Sequence, residues 1–297
     1  MGVKLRNYLH LHFIVFIWGF TAVLGKLITI EALPLVWYRM GIAALLIMVF
    51  IGIRRYSLKV SKRSFLILAT AGGALALHWV TFFLAIKVAN VSIALAVMST
   101  GAFFTALLEP ILYKRKIIGY ELVFGLVVVL GLVLIFKVES KYAYGMAIAL
   151  LSAFMGVVFT LLNGKLVVTE KPTIISFYEL AIGAVLISVY LGVQGAFTVD
   201  LFRLSENDWI LMGILASICT AYAFIGGVHV MKYLTPYTVV LTVNLEPVYG
   251  IVLAFFILGE AEKMNPMFYL GALIILATVI ANGILKNRDR LKKEKRA

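Results

Sequence analysis

One apolar stretch of the sequence, residues 241–260, holds at its centre three residues that could do chemistry: Asn244, Glu246 and Pro247. A carboxylate in hydrocarbon costs a few kcal/mol or more, and an ionisable residue at that depth marks a functional site by default. A proline there removes one backbone hydrogen bond and tends to kink a helix. The alternative is a kink proline beside a carboxylate that is neutral or paired for structural reasons.

The composition shows what kind of chain carries this stretch. The chain has 297 residues, of which 63% are hydrophobic and 14% are charged, whereas a soluble domain has about 25% charged residues. A membrane-spanning helix needs about 20 apolar residues. We therefore predict an all-α integral membrane protein with ten transmembrane helices, at residues 9–28, 32–53, 65–86, 91–113, 119–136, 144–166, 173–194, 209–231, 236–258 and 267–285.

The net charge of +13 is explained by its distribution. With a cytoplasmic N-terminus, 20 of the 27 basic residues fall on the inner side, six on the outer side, and Arg39 inside a span. This asymmetry follows the positive-inside rule, so the excess charge does not indicate a nucleic-acid partner. The basic tail, residues 287–297, fits contact with anionic lipid. We expect a multi-pass protein of the cell inner membrane with both termini in the cytoplasm.

Other polar and aromatic residues also lie inside predicted spans. His78 and Trp79 are adjacent near the middle of the third span, and Thr100 with Gly101 occupy the centre of the fourth. A buried histidine is often a packing residue, but its charge can switch near neutral pH. Arg39 lies about two turns inside the second span, where its long stem permits snorkelling; otherwise it faces the interior and holds a carboxylate.

The second half of the sequence echoes the first. Trp18-Gly19…Gly25-Lys26 resembles Met155-Gly156…Gly164-Lys165, and Tyr38-Arg39 aligns with Tyr178-Glu179. The offsets run from 137 to 146 residues, so the repeating unit is about five helices. Because five is odd, the second copy enters the membrane from the opposite side, which gives an inverted repeat. We predict one repeat at 1–140 and a second at 141–286.

Two registers are possible for the repeat near its helix breaks. Leu108-Glu-Pro110 and Leu245-Glu-Pro247 look equivalent at an offset of 137, but this requires a seven-residue gap inside a helix. An offset of 146 places Thr100-Gly101 opposite Glu246-Pro247. We prefer the second register, which makes Gly101 and Pro247 the two helix-break residues.

Four groups of motifs follow one another along the chain: Trp18-Gly19…Gly25-Lys26, Pro34…Arg39, Ala85…Ala89-Asn-Val-Ser92 and Glu246-Pro-Val-Tyr…Gly259-Glu260…Tyr269-Leu-Gly-Ala…Asn282-Gly283. With these motifs in their order and spacing, nearly the whole chain resembles the drug/metabolite transporter superfamily, EamA type. The resemblance implies ten helices in two inverted five-helix repeats around a central cavity lined by helices 1, 3, 4, 6, 8 and 9. It also implies alternating access and export or exchange of small metabolites.

Other chemistry finds little support in the sequence. There is no phosphate-binding Gly-x-x-x-x-Gly-Lys-Ser/Thr loop, and the four histidines are scattered, so we expect no cofactor and no metal. A channel, a receptor or an intramembrane enzyme that uses Glu246 and His78 as an acid–base pair remains as an alternative.

The predicted substrate site combines aromatic and polar residues. This set suits a small organic metabolite that is amino acid-like, cationic or zwitterionic, and protonation of Glu246 would compete with such a substrate and supply a coupling proton. The predicted binding residues are Trp18, Arg39, His78, Trp79, Thr100, Tyr222, Asn244 and Glu246.

The charge asymmetry gives a first prediction, which concerns topology. A single cysteine placed near Lys59, in a Cys219→Ser background, should react with an impermeant maleimide only after the cells are permeabilised. The reason is that the loop with five basic residues, 54–63, is retained on the cytoplasmic side. Labelling of this position in intact cells would reject the proposed orientation.

Overall fold

A computed structural model of the chain describes residues 3–114, 116, 118–243 and 245–294. Within these ranges the chain forms helices joined by short connections, with no strand. The prediction of an all-α chain is therefore confirmed.

The first half of the chain forms six helices. Side chains begin two of them: Ser61 accepts a hydrogen bond from the Ser64 amide, and Asn90 accepts one from the Ile93 amide, which satisfies amide groups that a helix start leaves open. The bounds are α1 Val3–Leu27, α2 Ala32–Ile53, α3 Lys62–Val88, α4 Val91–Met98, α5 Gly101–Tyr113 and α6 Gly119–Val138.

The second half forms seven helices and one π-helical segment within the described residues. Pro172 opens one helix at its first turn, where a missing N–H costs nothing, and Ser205 caps another through the Asp208 amide. The bounds are α7 Ala143–Leu166, α8 Pro172–Val193, α9 Glu206–Ala216, a π-helical segment Ser217–Tyr222, α10 Ala223–Val230, α11 Pro236–Val243, α12 Glu246–Leu258 and α13 Pro266–Glu294.

Every apolar segment predicted from the sequence coincides with one helix or with consecutive helices. Among the described residues, seven helical stretches are long and apolar enough to cross a membrane, and three shorter apolar helices lie at Val123–Val138, Glu246–Leu258 and Pro266–Asn282. The chain therefore has the helices of a multi-pass membrane protein.

Two of the apolar segments are interrupted at equivalent points. The bounds of α4 and α11, and those of α5 and α12, all differ by 145 residues. This offset lies one residue from the preferred register of 146 and places Gly101 opposite Glu246. It does not bring the two Leu-Glu-Pro sequences together.

The two breaks are built from different residues. In α12, Pro247 lacks the N–H that would bond the Val243 carbonyl, so the helix restarts there. The first break has no proline; instead the hydroxyl of Thr100 donates to the Val97 carbonyl at 2.8 Å, and the Thr100 amide bonds the same oxygen at 3.0 Å. The chain thus tightens into a single turn that joins α4 to α5.

Helices α1 and α12 approach to backbone contact. A Cβ atom on Gly19 would lie 2.8 Å from the Tyr249 Cβ and 3.2 Å from the Gly250 nitrogen. Such close approach is possible only because these positions are glycines, as small residues allow in membrane helices. This contact sets the first helix directly against the broken one.

The tyrosines Tyr38 and Tyr178, aligned from the sequence, make reciprocal contacts. The Tyr38 hydroxyl donates to the Leu201 carbonyl at 3.0 Å, and the Tyr178 hydroxyl donates to the Leu58 carbonyl at 2.8 Å. Leu201 follows α8, the helix of Tyr178, and Leu58 follows α2, the helix of Tyr38. Each tyrosine therefore holds the connection that leaves the other's helix.

A residue from the second half caps a helix of the first. The Glu262 side chain is 2% exposed and accepts from the Val91 amide at 3.1 Å and from the Ser92 amide and hydroxyl at 2.9 Å each. A carboxylate at this position also complements the positive end of the helix. The cap joins α4 to the connection between α12 and α13.

This cap leads to a second prediction. Glu262→Gln should lower the free energy of unfolding by about 1.5–3 kcal/mol, because hydrogen bonds to a charged acceptor have that range and an amide has only one accepting oxygen. The measurement is equilibrium unfolding of the purified protein in detergent.

The control lies in the same connection. Glu260 is exposed and pairs with Lys263 at 3.2 Å, and an exposed pair contributes about 0–1 kcal/mol. Equal losses for Glu260→Gln and Glu262→Gln would contradict the proposed role of the cap.

Candidate functional site

A cavity opens in the middle of the helix bundle. It encloses about 930 Å³ of space free of protein atoms, its open mouth included. The spans that the resemblance implies all contribute to its wall, and α2 adds one residue, Arg39. The lining residues are Trp18, Thr21, Arg39, His78, Trp79, Phe82, Met98, Gly101, Ala153, Gly156, Val157, Phe159, Thr160, Asn163, Phe224, Gly227, Val228, Met231, Val239, Val240, Val243 and Glu246.

Glu246 lies on the cavity wall as the first residue of α12. Its side chain is partly buried, and no described residue forms a hydrogen bond or an ion pair with its carboxylate. The charge that acts on it is that of Arg39. The helix break and the open cavity together leave this carboxylate free to meet a bound molecule.

Arg39 is 2% exposed and faces the interior rather than snorkelling. Its Nε donates to the Thr220 Oγ1 at 2.6 Å, and its Cζ lies 3.7 Å from the centroid of the Trp79 ring. Among the described residues no carboxylate forms an ion pair with it. The stacking holds the guanidinium plane in place, and the Nη donors have no described partner.

The partner of Arg39 belongs to the π-helical segment. The Thr220 hydroxyl donates to the Leu215 carbonyl, five residues earlier, at 2.6 Å. It can therefore accept from Arg39 with its oxygen. Such π turns within α-helices often occur at functional sites. This one places the Thr220 hydroxyl within hydrogen-bond distance of the Arg39 Nε.

His78 lies on the cavity wall with its Nδ1 engaged. Nδ1 is 2.9 Å from the Ser152 carbonyl, and the Ser152 hydroxyl donates to the His78 carbonyl at 2.8 Å. Since a carbonyl only accepts, these partners assign the proton of a neutral ring to Nδ1. Nε2 then remains as an acceptor with no partner among the described residues. The ring fits against Gly156, where a Cβ would lie 3.1 Å from Nδ1.

The two predicted tryptophans line the same cavity. Trp79 is 6% exposed and lies under Arg39. Trp18 packs against Gly227, where a Cβ would come within 2.8 Å of the ring. With Phe82, Phe159 and Phe224, which also line it, the cavity has aromatic side chains from four helices on its wall.

Other predicted site residues lie elsewhere. Tyr222 is 47% exposed and does not line the cavity; its hydroxyl is 3.0 Å from the Nε2 of His10. The Thr100 side chain is turned to its own helix, whereas the neighbouring Gly101 reaches the wall. Pro247 is buried behind Glu246, and Asn244 lies outside the described residues.

Two residues were not among the predicted site residues: Asn163 on the cavity wall and Glu179, which bonds Asn163 from behind the wall. Asn163 lines the cavity, and its Nδ2 donates to the Glu179 Oε2 at 3.1 Å. Glu179 is 0% exposed within α8. Its position inside an apolar span was the available signal, because an intramembrane carboxylate indicates a functional site by default.

The cavity wall carries groups that suit the binding of a polar organic molecule. It offers a cation, a carboxylate, a ring nitrogen and aromatic faces around an open space. Among the described residues no group of three His, Cys, Asp or Glu side chains is placed to hold a metal ion.

Comparisons with known proteins bear on the family and the fold of the chain. The chain is 25% identical over 287 residues to an uncharacterized transporter of Archaeoglobus fulgidus, covering 92% of this chain and 96% of that one. A solved crystal structure has a similar fold, with a TM-score of 0.68 and 16% identity over 95% of this chain and 98% of the other.

A family model matches the chain twice in succession, at residues 7–137 and 143–283. These matches cover nearly the whole chain and confirm the resemblance seen in its motifs. The chain belongs to the EamA-like transporter family.

Proposed function

We propose that the chain is a secondary transporter that exports or exchanges a small organic metabolite of amino acid-like, cationic or zwitterionic type. The observation that carries the proposal is the pair of opposite charges on one cavity wall. Glu246 and Arg39 act on each other electrostatically, yet they form no ion pair. A substrate with both an ammonium and a carboxylate group would satisfy both.

The neighbouring groups favour the same class of ligand. The Arg39 guanidinium presents a planar set of donors, which suits a carboxylate better than a lysine would. Glu246 attracts a cationic group, and the aromatic faces of Trp18 and Trp79 can receive a cation or an apolar side chain. The Nε2 of His78 adds one acceptor on the wall.

We further propose that the cavity opens alternately to the two sides through an inverted repeat, with halves at 1–140 and 141–286 and a basic tail at 287–297. Three observations support this proposal. The reciprocal bonds of Tyr38 and Tyr178 are the pattern that a twofold axis produces. Helix α2 packs against α8, and α6 against α13, so helices at equivalent places contact each other. The family model also matches each half once.

This proposal includes a location. We place the chain in the cell inner membrane with both termini in the cytoplasm, because the distribution of basic residues favours this orientation. Its partners are the bilayer and a small-molecule substrate, and the energy source is an ion or exchange gradient rather than ATP.

The basic experiment is counterflow in liposomes with a pooled metabolite library read by mass spectrometry. A transporter gives saturable uptake that is accelerated by the same compound inside. A channel gives no counterflow, and an enzyme returns a changed product. Either of these results would replace the proposed function.

A third prediction concerns Glu246. Glu246→Gln keeps the volume and removes the charge, so it should lower the counterflow rate at low substrate concentration by about 10- to 100-fold. This corresponds to the loss of a charged contact of about 1.5–3 kcal/mol. Expression and unfolding temperature should change little, because the carboxylate has no partner to lose among the described residues.

The matched control for this variant is Glu260→Gln, an exposed carboxylate outside the cavity. It should transport as the wild type does. A wild-type rate and pH profile for Glu246→Gln would show that the carboxylate takes no part in binding.

A fourth prediction concerns Arg39. Arg39→Lys keeps the charge but loses the bond to Thr220 and the planar donors, so it should raise the apparent KM for a carboxylate-bearing substrate by about tenfold, near 1.4 kcal/mol. The measurement is counterflow against substrate concentration at matched protein. An unchanged KM would remove Arg39 from the binding site.

A further inference from the structure

The Glu179 carboxylate occupies an unusual position outside the binding site just described. It is 0% exposed and lies eight residues into α8, between helices α3 and α7. Gly72 lets α3 approach the α8 backbone closely at this point, since a Cβ there would lie 2.9 Å from the Glu179 backbone carbonyl oxygen. Glu179 is therefore enclosed by protein.

The hydrogen bonds around this carboxylate are incomplete. Oε2 accepts from the Asn163 Nδ2 at 3.1 Å. Three further buried oxygens have no partner among the described residues: the Glu179 Oε1, the Asn163 Oδ1 and the Ser176 Oγ. Ser176 lies one turn before Glu179 on the same helix face. An unsatisfied buried polar atom costs about 1–3 kcal/mol, so this cluster requires an explanation.

Nearby charges do not explain how these buried oxygens are stabilised. Helix α8 packs against α2, α3 and α10, and Asn163 brings α7 against it. The basic residues of α3 other than His78 lie at its two ends, and no described charged group pairs with Glu179. Other ionisable groups of these helices have contacts of their own. Tyr38 and Tyr178 bond carbonyls, Arg39 stacks on Trp79 and His78 bonds Ser152. Lys165 lies over the Tyr113 ring, and the His229 ring contacts that of Tyr233.

We propose that Glu179 and Asn163 form a proton-binding site in which the Oε1 of Glu179 carries the proton. A carboxyl group pairs with an amide through two parallel hydrogen bonds, and the Asn163 Nδ2 already makes one of them to Oε2. A proton on Oε1 makes this oxygen a donor toward the Asn163 Oδ1. One proton thereby neutralises the carboxylate and satisfies two of the three unpartnered oxygens.

A metal cation fits this cluster less well. Hard cations such as Mg²⁺ and Ca²⁺ take six to eight oxygen ligands, whereas the cluster offers three oxygens without partners. A proton needs only one acceptor and one recipient of the hydrogen bond, and both are present.

Asn163 connects the proton site to the cavity. It lines the cavity wall and bonds Glu179 behind it. A rearrangement of α7 against α8 that exposed the carboxyl group to the water of the cavity would let it ionise, because the charged form is then solvated and the proton passes to water. The use of this site as the coupling site rests on the proposed transport function, but the binding of the proton does not.

The test needs no substrate. Infrared spectra of the purified protein in lipid, recorded at neutral pH and compared between the wild type and its variants, show the carbonyl stretch of a protonated carboxylic acid. The wild type should show this band. Glu179→Gln should lose it, and Glu246→Gln, which removes the cavity carboxylate, should keep it. A full band in Glu179→Gln, or no band in Glu246→Gln, would overturn the proposal.

A second variant keeps the test decisive if Glu179→Gln does not fold. In the protonated form Oε2 is the carbonyl oxygen, and it accepts from Asn163. Asn163→Ala removes this bond, so the band should move to higher frequency, whereas an unchanged band would refute the pairing. Because no transport is measured, failure here leaves the proposed function standing, and absence of counterflow leaves the proton site standing.

Discussion

The structure depends on one constraint: hydrocarbon offers no hydrogen bonds. Every polar group inside the bundle must therefore be satisfied by the protein, by a proton or by a bound molecule. Most are satisfied by the protein, as when the Thr220 hydroxyl donates to a carbonyl of its own helix and accepts from Arg39. Among the described residues, Glu246 and the Nε2 of His78 are exceptions on the cavity wall, and Glu179 with Asn163 and Ser176 forms a group of exceptions behind it. The proposed substrate and proton sites lie at these exceptions.

The same constraint explains how the fold could be predicted. A run of about 20 apolar residues forms a helix because only a helix satisfies its own backbone in lipid. The all-α fold and the helical segments could therefore be predicted from the sequence. The helix break at Pro247 could be predicted because proline lacks an N–H. The break before Gly101 was placed only by analogy with the second half. Its cause, a threonine hydroxyl that bonds a carbonyl, occurs throughout membrane helices and gives no sequence signal.

The candidate site was predicted in part, and the reason is geometric. Depth along a span can be counted from the sequence, and Glu246, Arg39, His78, Trp18 and Trp79 lie on one cavity as their depth suggested. Which way a side chain faces depends on helix rotation and on local irregularity. The π-helical segment inserts an extra residue per turn and shifts the faces of the residues that follow. Thr220 thereby meets Arg39, while Tyr222 faces outward.

Arg39 and Glu179 occupy corresponding positions in the proposed inverted repeat. Each follows a tyrosine that bonds the connection leaving the other's helix, as that symmetry would require. Their surroundings differ: Arg39 stacks on an aromatic ring at the cavity, whereas Glu179 is paired to an amide behind its wall. Opposite charges at these positions would keep the two halves of the proposed repeat from behaving identically. In the proposed mechanism, Asn163, which lines the cavity and bonds Glu179, is the residue that would link a substrate at Arg39 to a proton on Glu179.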